Sequence, residues 1–400
     1  MGRGIASEGF VGRERPFVRL AEALDAAAAG RPRLVLVAAE AGLGATRLLT
    51  ELERRVARLA EPVTVLRGDA LADEPYGGLL APLRPLLLAA DDATLADVAG
   101  SSGEEIARLV PELGPRLRSL GLMPDRPRIV DPERRQPRVL EAIHALLVRL
   151  GERRPVLLLL ENLHRADAGT RRLVAFLGRI SRPGRFCVVG TYQPDQMTAG
   201  HPLAATLAEL AEPPRPPEVL RLEPLTRDEL AALIEGIEGD RPSASVLLLV
   251  AERSRGVPLV AEELLAARRE LSSAPLTGSF GELVIARLGI RSPECRRVLR
   301  LLALAERPLS IAELAAASAA FEAGATRRPP RSVTPPRRGP SRLDPDLAAG
   351  LGEAVEHGFL VHGAVPGAGP GEWVAFRHES ISRAVAADLL PALRVRHHAA

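Results

Sequence analysis

One stretch constrains this 400-residue chain more than any other: Leu34-Val35-Leu36-Val37-Ala38-Ala39-Glu40-Ala41-Gly42-Leu43-Gly44-Ala45-Thr46-Arg47. A buried apolar run gives way to a small-residue loop, and a helical pattern follows. That is the layout of a phosphate-binding loop, G-x-x-x-x-G-K-[ST]. On that template Ala39 takes the first glycine, Gly44 the second and Thr46 the Ser/Thr, while Ala45 stands where the lysine belongs. Backbone N–H groups at a helix N-terminus can still converge on phosphate oxygens. Gly42 and Gly44 keep the freedom that this wrap needs. Ala39 fits only with a negative φ, and Thr46 can turn its hydroxyl to Mg²⁺. Ala45 offers no charge to the β- and γ-phosphates. A hydrogen bond to a charged group contributes about 1.5–3 kcal/mol, so its loss weakens binding by about 10- to 150-fold. Arg47 points around the helix and is no replacement.

An ordinary strand–turn–helix would share this hydrophobic pattern, so the reading needs other strand ends. Residues 155–160 are apolar in five of six positions, as in a strand buried on both faces. They run into Glu161-Asn162-Leu163-His164-Arg165-Ala166-Asp167. Residues 185–190 form a similar run, ending in Thr191-Tyr192-Gln193, and residues 63–68 read as a further strand. Helical patterns over 46–59, 136–150 and 168–180 alternate with them. This alternation predicts a doubly wound parallel sheet, with the loops after 38, 160 and 190 on its carboxyl edge, where ligands bind.

ATP hydrolysis on such an edge needs one acid to hold Mg²⁺ and another to orient or deprotonate water. Here the pair is Glu161-Asn162. Glu161 can ligate a metal together with Thr46. Asn162 can hold a water but cannot take its proton. If the metal ligand belongs at 162, the loss moves from the base to the metal; one carboxylate is missing in either register. Gln193 stands, uncharged, where an arginine after the strand would read the γ-phosphate. His164 and Asp167 either assist or hold the loop together.

The chain has 53 Lys+Arg against 50 Asp+Glu, and every one of the 53 is arginine. A net charge of +3 gives no argument for nucleic-acid binding by the whole chain. No apolar run is long enough for a membrane helix, and no signal core opens the sequence. Cys187 and Cys295 lack metal spacing, which points to a reducing compartment and a cytoplasmic location.

Beyond the Pro-rich stretch at 213–217 the pattern turns helical, with a capping box at Thr226-Arg227-Asp228-Glu229. Residues 322–342 are rich in Arg and Pro, the composition of a disordered basic linker. A helix over 343–356, strands at 358–362 and 373–377 and a helix from Leu389 to Ala400 complete the expected elements. The helix over 343–356 carries Asp344, Asp346, Glu353 and Glu356, which argues against phosphate contact there. The organisation expected is a P-loop AAA+-like domain over 8–217, a helical lid over 218–285 and a winged-helix domain over 286–395.

Several segments together resemble one known module: Phe10-Val11-Gly12-Arg13-Glu14, the loop 39–47, Pro75-Tyr76-Gly77, Leu158 to Asp167, Gly190-Thr191-Tyr192, Gly256-Val257-Pro258-Leu259 and Phe376-Arg377-His378-Glu379. In that order they are similar to the ATPase module of the large ATP-binding LuxR-type (MalT-like) transcriptional regulators, signal-transduction (STAND) NTPases of the AAA+ branch. The resemblance implies a nucleotide switch: ATP favours an open, self-associating state, and ADP a closed one. It implies that Val11, Gly12 and Arg13 border adenine with Pro258 on its other face. Ala39, Glu40, Ala41, Gly42, Leu43, Gly44, Ala45, Thr46 and Arg47 would surround the phosphates, and His378 would touch the β-phosphate. Thr46 and Glu161 would be the metal positions. Departures at Ala39, Ala45, Asn162, Arg165 and Gln193 predict weakened ATP/ADP binding and lost hydrolysis. Two alternatives stay open, a nucleotide-free protein-interaction scaffold and an active ATPase drawing its cation from Arg13 or Arg255. Members of the group continue into a helical-repeat sensor and a DNA-binding helix-turn-helix. Neither pattern occurs in these 400 residues, so DNA contact is expected only through an element outside them, whether the chain is a fragment, a truncated product or a stand-alone remnant.

Overall fold

In the computed structural model the described residues are 10–70, 75–124, 132–180, 182–212, 216–271, 278–322, 344–363 and 372–389. They form two compact units. One comprises Arg13–Glu40 and Gly44–Glu223; the other comprises residues up to Gly12, Ala41–Leu43 and the chain from Pro224 onward.

The first unit is built on a sheet. Its elements are α1 (Glu14–Ala28), β1 (Arg33–Ala38), α2 (Ala45–Val56), β2 (Thr64–Asp69), α3 (Gly77–Ala89), α4 (Asp92–Ala99), α5 (Gly103–Leu109), α6 (Gly114–Ser119), α7 (Pro132–Arg153), β3 (Val156–Glu161), α8 (Ala168–Arg179), β4 (Phe186–Tyr192), α9 (Pro202–Ala211) and β5 (Glu218–Arg221). Five parallel strands lie in the order β2-β3-β4-β1-β5. Every residue of β3 and β4 is buried, which is why both segments read as unbroken apolar runs. The alternating layout predicted from sequence is therefore present. β5 is an addition to it: four residues with a half-exposed pattern give no strand signal. Its pairing with β1 makes it the far edge of the sheet.

One face of α2, formed by Leu48, Leu49, Leu52 and Val56, is buried. Helix α3 comes so close to β2 that a Cβ on Gly68 would lie 1.7 Å from the Gly78 carbonyl oxygen. The register sets Ala38 beside Tyr192 and Asp69 beside Glu161, so these strand ends share one edge.

The second unit contains α10 (Arg227–Glu238), α11 (Ala244–Ser254), α12 (Pro258–Glu270), α13 (Phe280–Gly289), α14 (Pro293–Ala305), β6 (Leu309–Ser310), α15 (Ile311–Glu322), α16 (Pro345–Glu356), β7 (Leu360–Gly363), β8 (Trp373–Phe376) and α17 (Glu379–Asp388). Thr226 and Ser279 close capping boxes at the starts of α10 and α13. Helices α10–α12 pack around Leu230, Ile234, Val250 and Leu265. The rest surround Val284, Leu299, Leu302, Phe359, Val374 and Ile381, with β6-β8-β7 as a small antiparallel sheet. Helix α17 was not separated in the sequence reading. The expected linker beyond Glu322 and the expected helix beyond Leu389 lie outside the described residues.

A charged cluster is buried in this unit. Arg287, fully buried, donates to Glu263, to Glu270 at 2.9 and 3.1 Å and to the His357 carbonyl oxygen at 2.7 Å. Its guanidinium also stacks over Phe359, 4.6 Å from the ring centroid. Arg377 donates to Glu262 at 2.8 Å and to Glu263 at 2.5 Å, and Arg291 donates to Glu270 at 3.2 Å. Buried charges persist only when paired in this way.

Candidate functional site

The carboxyl edge of the sheet gathers most of the sequence-predicted residues. Strand β1 ends at Ala38. The Ala39 N–H then donates to the Tyr192 carbonyl oxygen at 3.0 Å, which seals the position of the first motif glycine against β4. Ala39 keeps a negative φ, as the template requires, while Gly42 and Gly44 have φ of +83° and +93°. A side chain would be strained at either position, so these two glycines permit the loop's shape. Gly44 is the N-cap of α2, and Ala45 and Thr46 are its first residues. The N–H groups of that first turn lack partners inside the helix, which is what suits such a terminus to an anion.

Glu161, the last residue of β3, is buried. The Thr46 hydroxyl donates to its Oε2 at 2.7 Å. Of the two acidic-pair positions, Glu161 and not Asn162 is therefore the one bonded to Thr46. Asn162 adopts a left-handed turn with φ +58°. Its N–H donates to Thr191 Oγ1 at 3.1 Å, and its side-chain amide donates to Asp69 Oδ2 at 3.0 Å. Gln193 donates its N–H to His164 Nδ1 at 3.3 Å, and its buried Oε1 lacks a hydrogen-bond partner. Asp167 is used in capping: its Oδ1 accepts from the N–H groups of Gly169 and Thr170 at 2.7 and 3.0 Å, and Oδ2 from the Thr170 hydroxyl. That is the structural role of the two open for it.

Three residues here are not among the predicted site residues: Arg67, Asp69 and Thr191. Arg67 and Asp69 lie on β2, in register with Leu159 and Glu161 of β3, so the two pairs share a face. Arg67 donates through Nε to Glu161 Oε1 at 2.8 Å, through Nη1 to Thr50 Oγ1 at 3.0 Å and to Glu53, and through Nη2 to the Thr46 carbonyl oxygen at 3.4 Å. Its side chain is 8% exposed. Burial works against its charge, but Glu161 and Glu53 outweigh burial and raise its pKa further. The usable signal was the Arg-Gly-Asp end of a strand otherwise apolar at every second position.

Mg²⁺ asks for several oxygen ligands in octahedral array. Thr46 and Glu161 are the two expected from the sequence, and they are bonded to each other. The second oxygen of Glu161 is held by Arg67. Among the described residues no three His, Cys, Asp or Glu side chains converge to hold a metal. As placed, both carboxylate oxygens of Glu161 are already taken by protein donors, which does not fit the metal expected here.

Seven of the remaining predicted positions are in the other unit. Val11, Gly12, Pro258 and His378 belong to it, as do Ala41, Gly42 and Leu43. Within it the Leu259 N–H donates to the Gly42 carbonyl oxygen at 3.3 Å. Pro258 is the first residue of α12 and His378 the N-cap of α17, accepting the Ser380 N–H at 3.1 Å. The His378 pKa is pushed down to about 4, first by burial and then by Arg377, so the ring is neutral at pH 7. It can meet a phosphate only as a neutral donor. Arg13, Glu40 and Arg47 belong to the sheet unit.

Among the described residues no helix is long and apolar enough to cross a membrane. A relative from Rhizobium meliloti (strain 1021), "Uncharacterized protein R02095", is 27% identical over 281 residues, 64% of this chain and 24% of its own length. The chain therefore spans about a quarter of that relative. A solved structure, the Signal Transduction ATPase with Numerous Domains protein with a tetratricopeptide repeat sensor PH0952 from Pyrococcus horikoshii, matches with a TM-score of 0.51 at 14% identity. It covers 98% of this chain and 46% of that one, a likeness of fold. Residues 9–189 match the model of the AAA ATPase domain, which makes this stretch an AAA+ ATPase-like domain.

Proposed function

We propose that this chain is the nucleotide-binding switch module of a transcriptional regulator of the LuxR-type (MalT-like) kind, with ADP/ATP binding weakened and hydrolysis lost. On this reading the chain from Pro224 onward is the helical lid, expected over 218–285 but without β5, which belongs to the sheet, and the winged-helix domain, expected over 286–395; the module acts through other protein domains or self-association. One observation carries the reading. The phosphate loop keeps its backbone shape at Gly42 and Gly44, while Ala45 lacks an ammonium group and Asn162, which cannot act as a base, is bonded to Asp69. A loop that had lost all use for phosphate would have no reason to keep two glycines at positive φ. The match to an AAA ATPase domain over 9–189 supports nucleotide as the ligand class.

The test is calorimetric titration with ADP and ATP, alongside phosphate release. Expected are dissociation constants in the range of about 10 μM to 1 mM, weakened further by Thr46→Ala, and turnover at background. Steady phosphate release abolished by Glu161→Gln would establish the active ATPase instead. No heat and no melting shift with millimolar nucleotide would leave the scaffold.

A further inference from the structure

We propose that Arg67 is the resident cation of this phosphate site, standing in for the divalent ion so that nucleotide binds without metal. This rests on the nucleotide-binding reading above and names what neutralises the site's carboxylate. A bare Glu161 one hydrogen bond from Thr46 would repel polyphosphate arriving at the first turn of α2. In a P-loop ATPase a metal bridges that repulsion. Here the guanidinium already meets Glu161 at 2.8 Å.

Arg67 is also built in, not swung in. Thr50 and Glu53, one helical turn apart on α2, take its other nitrogen, and the Thr46 carbonyl oxygen accepts a fourth contact. The planar, always-charged fork of arginine suits such a fixed post, where several acceptors must be met at once. Strand β2 supplies it from next door: the parallel register brings positions 67 and 161 to one face without any loop movement. With Ala45 at the lysine position and both Glu161 oxygens already bonded, Arg67 is the fixed cation this site has.

The experiment uses the full chain and mant-ADP anisotropy, in EDTA and in millimolar Mg²⁺, with Mn²⁺ resonance spectra as a second readout. For the wild type the two affinities should agree within about twofold, and the Mn²⁺ spectrum should show only the ion held by ADP itself. Arg67→Met should weaken binding in EDTA by about tenfold relative to Mg²⁺. Arg67→Met with Glu161→Gln should return to metal independence, because the carboxylate that needed neutralising is gone. Should Arg67→Met not fold, the wild-type ratio and the double variant decide. Wild-type binding about tenfold tighter with Mg²⁺, or a protein-coordinated Mn²⁺ signal, overturns the inference and leaves the switch reading standing. No mant-ADP binding in either condition removes both.

Discussion

Arg287→Met in the buried cluster offers a sharp test of how the second unit is held together. The side chain is fully buried, meets both oxygens of Glu270, Glu263 and one carbonyl, and stacks on Phe359. Removing one partner of a buried pair costs about 3–5 kcal/mol. The low end applies, because Glu263 keeps Arg377 and Glu270 keeps Arg291 and His357. A loss of about 3 kcal/mol should lower the urea midpoint by about 1–3 M. The chain's single tryptophan, Trp373 on β8, reports this unit specifically by fluorescence. Glu263→Gln should cost about 1–2 kcal/mol in the wild type and less in the Arg287→Met background, where the cluster is left with one carboxylate more than it has guanidiniums. Burial alone would raise the Glu270 pKa, but Arg287, His357 and Arg291 outweigh it and hold it below the usual range. Its contribution is therefore full above the unfolded carboxylate's pKa and lost as pH falls through the folded value, and Arg287→Met should flatten that acid limb. A midpoint shift under about 0.3 M, or an equal Glu263→Gln effect in both backgrounds, would refute the account.

Other outcomes follow from single sites. Between pH 6.5 and 4 the unfolded chain protonates His378 while the folded chain does not, so stability should fall across that window by up to about 3 kcal/mol. His378→Asn keeps a capping side chain and should remove that slope in denaturation curves taken at several pH values. Burial pushes both Cys187 and Cys295 up to about 12, so neither should react with a thiol reagent at pH 8 until urea unfolds the chain. Gly68→Ala drives a methyl into the Gly78 carbonyl; a cost of about 3 kcal/mol or a failure to fold is expected by circular dichroism. Asp167→Ala should lower stability by about 1–2 kcal/mol with nucleotide affinity unchanged, separating a cap from a ligand.

The sheet unit was legible because its inner strands bury both faces, and β1, β3 and β4 show this as apolar runs. Of the two edge strands, β2 shows in the sequence and β5 does not. β5 has four residues and no hydrophobic signature, because what fixes it is pairing with β1. At the site, spacing along one segment exposed the loop 39–46 and Glu161. Arg67 and Asp69 reach the same place from a strand some ninety residues earlier in sequence, and only the parallel register joins them. Spacing likewise left His164 and Asp167 ambiguous, since a structural contact and a ligand contact use the same side-chain acceptor atoms.

The strand order has a consequence for how the chain is made. β1 is an interior strand, yet its neighbours β4 and β5 come from far down the sequence. With synthesis at about 5–20 residues per second, the roughly 150 residues between β1 and β4 take about 8–30 s to emerge. Through that interval an apolar strand waits with both edges bare, a template for stray pairing. Cells producing this protein should therefore hold the nascent segment on a chaperone until Tyr192 has left the ribosome. Slowing translation before that point should raise the aggregated fraction more than slowing it afterwards.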